Sequence, residues 1–90
     1  ALEVGEMGIT CNALCPGGIL TDVMNDQGPL AAEAIGIEFE DLLNMMSEPS
    51  ALKKLNEVED VALVANLLAS DAGAGITGSL ISIDGGVSPY

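Results

Sequence analysis

The sequence predicts an α/β fold in which two short parallel strands are joined by a long, largely helical crossover. Two apolar runs, residues 9–15 and 79–83, lack a clean alternation of polar and apolar side chains, which is typical of parallel strands buried on both faces. The residues between them place apolar side chains at helical spacing. A crossover of this length joins parallel strands with a right-handed connection. Two such strands need neighbours on the sheet and helices over both faces, so we expect further elements beside them.

The first two predicted parts of this fold are residues 1–8 and residues 9–24. Residues 1–8 contain no N-cap signal and are interpreted as the tail of a helix that Gly8 ends. Residues 9–24 comprise the first strand and the loop after it, and Asn12 is the one amide inside the apolar run.

The strand is predicted to end at Pro16, which fixes φ and has no N–H to donate to a neighbouring strand. Gly17 and Gly18 follow, and they permit a backbone geometry and a close approach that a side chain would block. In open α/β sheets, ligands bind beyond the carboxyl ends of the strands. The loop therefore lies where a ligand-binding loop is expected.

Segment 25–55 is predicted to hold one or two short amphipathic helices. It is rich in Met, Ala and Glu, and positions at helical spacing are Ile37, Asp41 or Leu42, and Met45. The expected breaks are Gly28, Pro29 and Gly36. Methionines on such a helix also suit a surface that adapts to a ligand, but we favour a place in the core.

Segment 56–90 is predicted to hold the last helix, the last strand and a C-terminal tail. Asn56 and Glu59 have the spacing of a capping box, and the helix that follows places its apolar side chains on one face, at Val61, Val64, Ala65 and Leu68. The helix is expected to end within residues 70–75, and the strand 79–83 is closed by a turn at residues 84–86.

The charge of the chain is strongly acidic, with fourteen Asp and Glu against Lys53 and Lys54, no Arg and no His, for a net charge of −12. This balance argues against nucleic acid and against an anionic membrane surface as partners, because both need basic residues. We interpret the acids as a solvated face. No charged-then-apolar leader and no long apolar span is present, so the expected compartment is the cytoplasm.

The two cysteines, Cys11 and Cys15, are four residues apart. In a strand over residues 9–15 they would share one face at a separation of about 13 Å, from a rise of ~3.3 Å per residue. That separation is too long for a disulfide, so we interpret both as small core residues. Without His or a second Cys pair, no metal site is expected.

Two stretches resemble segments of the short-chain dehydrogenase/reductase family. Residues 8–24, GITCNALCPGGILTDVM, are similar to the family segment Gly-Ile-x-x-Asn-x-x-x-Pro-Gly-x-Ile-x-Thr, and residues 57–86 are similar to its C-terminal region with Ser-Asp, Ile-Thr-Gly and Asp-Gly-Gly. The resemblance implies the C-terminal part of a Rossmann-like doubly wound parallel sheet, namely its last two strands plus helices. It implies that segment 25–55 is a substrate lid, whose length and local stretches resemble 3-hydroxybutyrate dehydrogenases and related reductases of small 3-oxo compounds.

The resemblance also implies a nicotinamide cofactor, NAD or NADP, beside the loop after the first strand. The matching positions are Pro16, Gly17, Ile19 and Thr21. By this likeness Ile19 would offer backbone hydrogen bonds to the carboxamide, and Thr21 its hydroxyl to the carboxamide or a phosphate. From the residues alone, we favour Thr21 as the cap of the next helix, with Asp22 favourable to the helix dipole. One side chain could do both.

The catalytic Tyr-x-x-x-Lys and the Gly-rich fingerprint of the family have no match here, since the only tyrosine is Tyr90. We therefore expect no catalytic residue in this chain and no activity from it in isolation. The intact enzyme would interconvert a small-molecule alcohol and a ketone. The alternative is a non-catalytic folding or oligomerisation module. In the family, the last helix and strand form subunit contacts, so Val61–Leu68 and Ser79–Ile83 are candidates for a homo-oligomer interface, or they pack on the same sheet.

Overall fold

The computed structural model describes residues 1–88, so Pro89 and Tyr90, at the end of predicted segment 56–90, lie outside the described residues. The regular elements in chain order are β1 (Ala13–Pro16), β2 (Ile19–Leu20), α1 (Asp22–Ala34), α2 (Phe39–Ser47), β3 (Asn56–Glu57), α3 (Val58–Ala69) and β4 (Leu80–Ile83). Residues 1–8 hold a 3-10 turn rather than the predicted helix tail, and Gly8 ends it with φ of 75°.

β1 and β4 form a parallel two-stranded sheet, in which Ala13 lies opposite Leu80 and Pro16 opposite Ile83. The predicted parallel pairing of the two apolar runs is thus confirmed. β1 begins at Ala13 and not at residue 9, because the preceding residues bond to the turn before β4. The Asn12 side chain makes two of these hydrogen bonds. Its Nδ2 donates to the Ile76 carbonyl (2.9 Å), and its Oδ1 accepts from the Ser79 N–H (3.1 Å).

A second, smaller parallel sheet pairs β2 with β3, with Ile19 opposite Asn56 and Leu20 opposite Glu57. The sequence did not predict this sheet, because each strand is only two residues long and β3 is polar. The pairing brings residue 56 beside the loop that follows β1. It is one of the contacts that join the crossover to the end of the main sheet, together with the hydrogen bond from the Leu52 N–H to the Gly85 carbonyl (3.0 Å).

α1 runs without interruption through Gly28 and Pro29, so the predicted break at these residues is wrong. Proline disfavours helix in the residue before it mainly through that residue's N–H and Cβ, and Gly28 has no Cβ. Gly28 is buried against α2, where a Cβ would lie 2.3 Å from Phe39 Cε1. The chain does break at Gly36, where φ is 79°.

α3 confirms the predicted last helix, and its apolar face half-buries Val61, Val64 and Leu68 while Ala65 is exposed. The predicted cap at Asn56 is wrong by one residue. Glu57 is the N-cap and forms a capping box with Asp60, in which the Glu57 N–H donates to Asp60 Oδ2 (2.8 Å). Asn56 is thereby released for the other contacts described below.

Three predictions of burial are also wrong. Cys11 and Cys15 are free and exposed, not core residues, and Met45 is 62% exposed. α3 contacts β1 and half-covers the sheet face that holds Leu14, whereas Cys15 points to the opposite, open face. Among the described hydrophobic side chains only Ala32 is fully buried. The acids agree with the solvated-face interpretation, because all but Asp60 and Asp84 are exposed.

Candidate functional site

The candidate site is the link from β1 to α1, residues 16–21, together with the end of β4. Because β1 and β4 are parallel, their carboxyl ends meet at one edge of the sheet, where ligands bind in open α/β folds. Pro16 is the last residue of β1, Ile19 begins β2, and Thr21 is the N-cap of α1. The four residues predicted to face a cofactor thus follow one another along this edge.

The two glycines of the link are required by contacts within the chain itself. A Cβ on Gly17 would lie 2.6 Å from Asp84 Cβ, and a Cβ on Gly18 would lie 2.7 Å from Leu55 Cδ2. Both distances are well inside van der Waals contact. The close approach predicted from the sequence is therefore made, at these two positions, to the turn after β4 and to the segment before β3.

Ile19 presents a free backbone donor and acceptor. The Asn56 N–H donates to the carbonyl of Gly18 (3.0 Å), one residue before its partner Ile19. In a parallel ladder this pattern directs the N–H and C=O of Ile19 away from β3. Within residues 1–88, no turn, loop or side-chain hydrogen bond uses either group. Ile19 is half-buried, so a polar ligand there would be partly shielded from water.

Thr21 caps α1, since its Oγ1 accepts a hydrogen bond from the N–H of Met24 (3.2 Å). This is the capping role that the sequence predicted for a hydroxyl followed by Asp22. A threonine hydroxyl has one proton and two lone pairs. The cap uses one lone pair, so the proton is available to donate to a second group.

The turn after β4 is organised by Asp84, which packs against Gly17. Its carboxylate accepts hydrogen bonds from the Ser88 hydroxyl, the Ser88 N–H (3.0 Å) and the Gly86 N–H (2.9 Å). The Ser88 hydroxyl first, then the backbone N–H groups of Ser88 and Gly86, hold the pKa of Asp84 below its ordinary value. Asp84 is therefore an ionised structural anchor of this edge.

Three cavities border the link, and one of them, of about 240 Å³, is lined by Leu20 but by none of the four predicted residues. Pro16 and Cys15 lie at one of about 710 Å³ along β4. Thr21 and Met24 lie at another of about 220 Å³ between α1 and α2, which Leu42 also lines. The structure thus places Pro16 and Thr21 at different cavities, and the described chain does not gather the predicted residues around one.

Asn56 belongs to this site and was missed by the sequence analysis. Its side chain is buried, and its Nδ2 donates to the carbonyl of Ile83, the last residue of β4 (3.0 Å). A signal for it exists in the sequence, because Asn56–Glu59 and Glu57–Asp60 are two overlapping capping-box spacings. Only one of these two capping boxes can form. If the Glu57–Asp60 box forms, the Asn56 side chain needs other hydrogen-bond partners.

Within residues 1–88, no three His, Cys, Asp or Glu side chains lie together in a way that could hold a metal ion. No helix of these residues combines the length and the apolar character needed to cross a bilayer.

Comparison with known proteins shows similarity along the whole described chain. A family described as Enoyl-(Acyl carrier protein) reductase matches residues 1–88. D-beta-hydroxybutyrate dehydrogenase of Rhizobium meliloti is 45% identical over 87 residues, which are 96% of this chain and 34% of that protein. The chain thus spans about a third of the length of the curated relatives that it matches.

Solved structures place the same residues in the same fold. A short chain dehydrogenase family protein from Francisella tularensis matches 100% of this chain and 37% of its own, with a TM-score of 0.89 and 29% identity. ElxO with NADP bound matches 97% of this chain and 32% of its own (TM-score 0.79, 30% identity). 4-Hydroxyisoleucine dehydrogenase complexed with NADH matches 100% of this chain and 32% of its own (TM-score 0.74, 27% identity). With two parallel strands of a Rossmann-like sheet and a match over nearly all its residues, the chain belongs to the short-chain dehydrogenase/reductase family.

Proposed function

We propose that this chain supplies the nicotinamide-facing loop and the substrate cover of an NAD(P)-dependent oxidoreductase that interconverts an alcohol and a ketone. The observation that carries the proposal is the free N–H and C=O pair of Ile19 at the carboxyl edge of the sheet. A primary carboxamide offers one acceptor and one donor group, so it complements this pair. Similar structures hold NADP in one case and NADH in another, which supports a nicotinamide cofactor without choosing between the two.

Thr21 supports the same assignment from the other end of the link. Its hydroxyl proton is not used by the cap, so it can donate to the carboxamide oxygen or to a phosphate. Pro16 ends β1 and Gly17 packs on Asp84, so both act by fixing the course of the link. A bound nicotinamide supplies or accepts a hydride, and the work of these residues is to orient it.

The proposed substrate is a small 3-hydroxy or 3-oxo compound. The support is the 45% identity to D-beta-hydroxybutyrate dehydrogenase of Rhizobium meliloti. α1 and α2 would form the cover, because the cavity between them has an apolar lining from Met24 and Leu42 and opens beside Thr21. A small apolar body with one polar end suits a pocket of this composition.

We further propose that the proton-transferring groups lie outside these residues and that the enzyme is a homo-oligomer. α3 and β4, the candidate interface of Val61–Leu68 and Ser79–Ile83, expose large apolar side chains. Leu63 is 69% exposed, Leu67 44% and Leu80 79%. Such side chains are the kind that a subunit contact covers.

Amide hydrogen exchange on the full-length protein that contains these residues tests the placement of the cofactor. We expect NADH or NADPH to slow exchange in the peptide covering residues 17–21, because the Ile19 N–H becomes hydrogen-bonded. ADP-ribose, which lacks the nicotinamide, should leave this peptide unchanged, and a peptide from α3 serves as the internal control. Equal protection by both ligands, or protection by neither, would contradict the proposal.

A further inference from the structure

Asn56 is a buried amide at the junction of the two sheets, and neither α3 nor the proposed cofactor contacts account for it. The residue as a whole is 7% exposed. Buried polar side chains are held by hydrogen bonds, and this one donates from Nδ2 to the Ile83 carbonyl (3.0 Å). It has no capping duty, because Glu57 and Asp60 cap α3 between them.

The contacts of Asn56 enclose the two glycines of the link. The Gly17 N–H donates to the same Ile83 carbonyl (3.1 Å), so both lone pairs of that oxygen are occupied. On the other side, the Asn56 N–H donates to the Gly18 carbonyl (3.0 Å). Asn56 thus holds the Gly18 carbonyl through its backbone N–H, and its side chain is bound to the same Ile83 carbonyl that the Gly17 N–H reaches directly.

A Gly-Gly pair has the widest range of backbone conformations of any dipeptide. The orientation of the next residue, Ile19, is therefore set by whatever holds the pair. Leu55 packs on Gly18 and Asp84 on Gly17, but these van der Waals contacts limit position more than they fix the rotation of a peptide plane. The hydrogen bond from the Asn56 N–H to the Gly18 carbonyl is directional and fixes that rotation. The Asn56 side chain, bound to the Ile83 carbonyl, fixes where this N–H lies.

We propose that Asn56 is a positioning residue that aims the backbone N–H and C=O of Ile19 at the nicotinamide carboxamide. The inference rests on the proposed function, since it requires Ile19 to meet that group. Asn56 itself does not touch the cofactor. Loss of the Asn56 side chain should therefore weaken the binding only of ligands that carry the nicotinamide.

The test compares binding of NADH (or NADPH) and of ADP-ribose to the full-length protein carrying Asn56→Ala. We expect the Kd of the dinucleotide to rise by roughly 5-fold to 10-fold, the equivalent of one lost hydrogen bond, while the Kd of ADP-ribose changes less than about 2-fold. Asn66→Ala, at an exposed asparagine of α3, is the matched control and should change neither. Asn56→Ser, whose hydroxyl is one bond too short to reach the Ile83 carbonyl, replaces Asn56→Ala if that variant does not fold.

An equal rise for both ligands would assign Asn56 a purely structural role and overturn the inference, as would no change for either. The proposed function has its own signature of failure. If the unaltered protein shows no protection of residues 17–21 by the dinucleotide, Ile19 does not meet the carboxamide, and both ideas fall. If that protection is present and Asn56→Ala preserves the ratio of the two Kd values, only the role of Asn56 is wrong.

Discussion

Gly17 lies at the edge of the sheet, at a position that has no room for a side chain. It lies where β1 ends, its N–H is bound to the end of β4, and its α-carbon faces the backbone of Asp84. A Cβ added there would lie 2.9 Å from Asp84 Cα as well as 2.6 Å from Asp84 Cβ. Neither atom is the far end of a flexible side chain, so the turn itself would have to shift.

Gly17→Ala is therefore expected to lower the free energy of unfolding of the full-length protein by about 1–3 kcal/mol, the usual cost of overpacking. Urea denaturation measures it. Gly5→Ala is the control, because a Cβ at Gly5 meets nothing within 4 Å, and its effect should stay within about 0.5 kcal/mol. Equal stability of the two variants would show that the Asp84 turn moves freely.

At the residue scale, the sequence predicts well where a residue type has few roles. The cap at Thr21 and the stop after Pro16 follow from chemistry that each residue carries alone. Asn56 and the cysteines were misjudged for a different reason. The environment of each is set by parts of the chain far away in sequence. Asn56 bonds to Ile83, and Cys15 lies on a sheet face that no helix covers, and no local sequence pattern predicts either arrangement.

At the element scale, α1 couples the candidate site to the substrate cover. Thr21 holds the first turn of the helix through Met24, and Gly28, one turn further on, packs under Phe39 of α2. The same hydroxyl is proposed to donate to the cofactor. A substitution at Thr21 can therefore lower the stability of the helix, the affinity for the cofactor, or both. Replacement by different side chains separates the two effects.

Thr21→Asp keeps an oxygen that accepts from the Met24 N–H but has no hydroxyl proton, whereas Thr21→Ala loses both. We expect Thr21→Ala to cost about 1 kcal/mol of stability and Thr21→Asp to cost little. Both should weaken binding of the dinucleotide by roughly 5-fold or more. Thr21→Ser should resemble the unaltered protein in both respects. The measurements are thermal unfolding and equilibrium cofactor binding; full affinity in Thr21→Asp would exclude the hydroxyl as a donor.

The larger elements were predictable because they repeat their signal over many residues. β1 and β4 are apolar runs, and α3 repeats an apolar residue every third or fourth position. The β2–β3 sheet has two residues per strand, too few for a periodicity, and forms because the crossover returns Asn56 to Gly18. α1 passes through Gly28-Pro29 because tertiary packing on Phe39 outweighs local propensity.

At the scale of the whole molecule, the described chain is extended and has almost no core of its own. Its radius of gyration is 16.8 Å, whereas a compact domain of this length has about 12 Å. Leu63, Leu80 and Met45 are all more than half exposed, and Ala32 is the one fully buried hydrophobic side chain among residues 1–88. Hydrophobic burial is the main favourable term in folding, so this chain lacks most of what stabilises a domain.

The 90-residue chain expressed alone is therefore expected to unfold without a cooperative transition, to bind 8-anilinonaphthalene-1-sulfonate strongly, and to self-associate through its open sheet and helix faces. It should also show no dehydrogenase turnover, since the proton-transferring groups are proposed to lie elsewhere. Calorimetry, dye fluorescence, size-exclusion chromatography with light scattering, and a nicotinamide absorbance assay check these points. A sharp thermal transition from an oligomer of defined mass that ignores the cofactor would instead support an independent assembly module. Turnover by the isolated chain would contradict the proposed division of the active site, because the residues described here would then supply both its orienting and its proton-transferring groups.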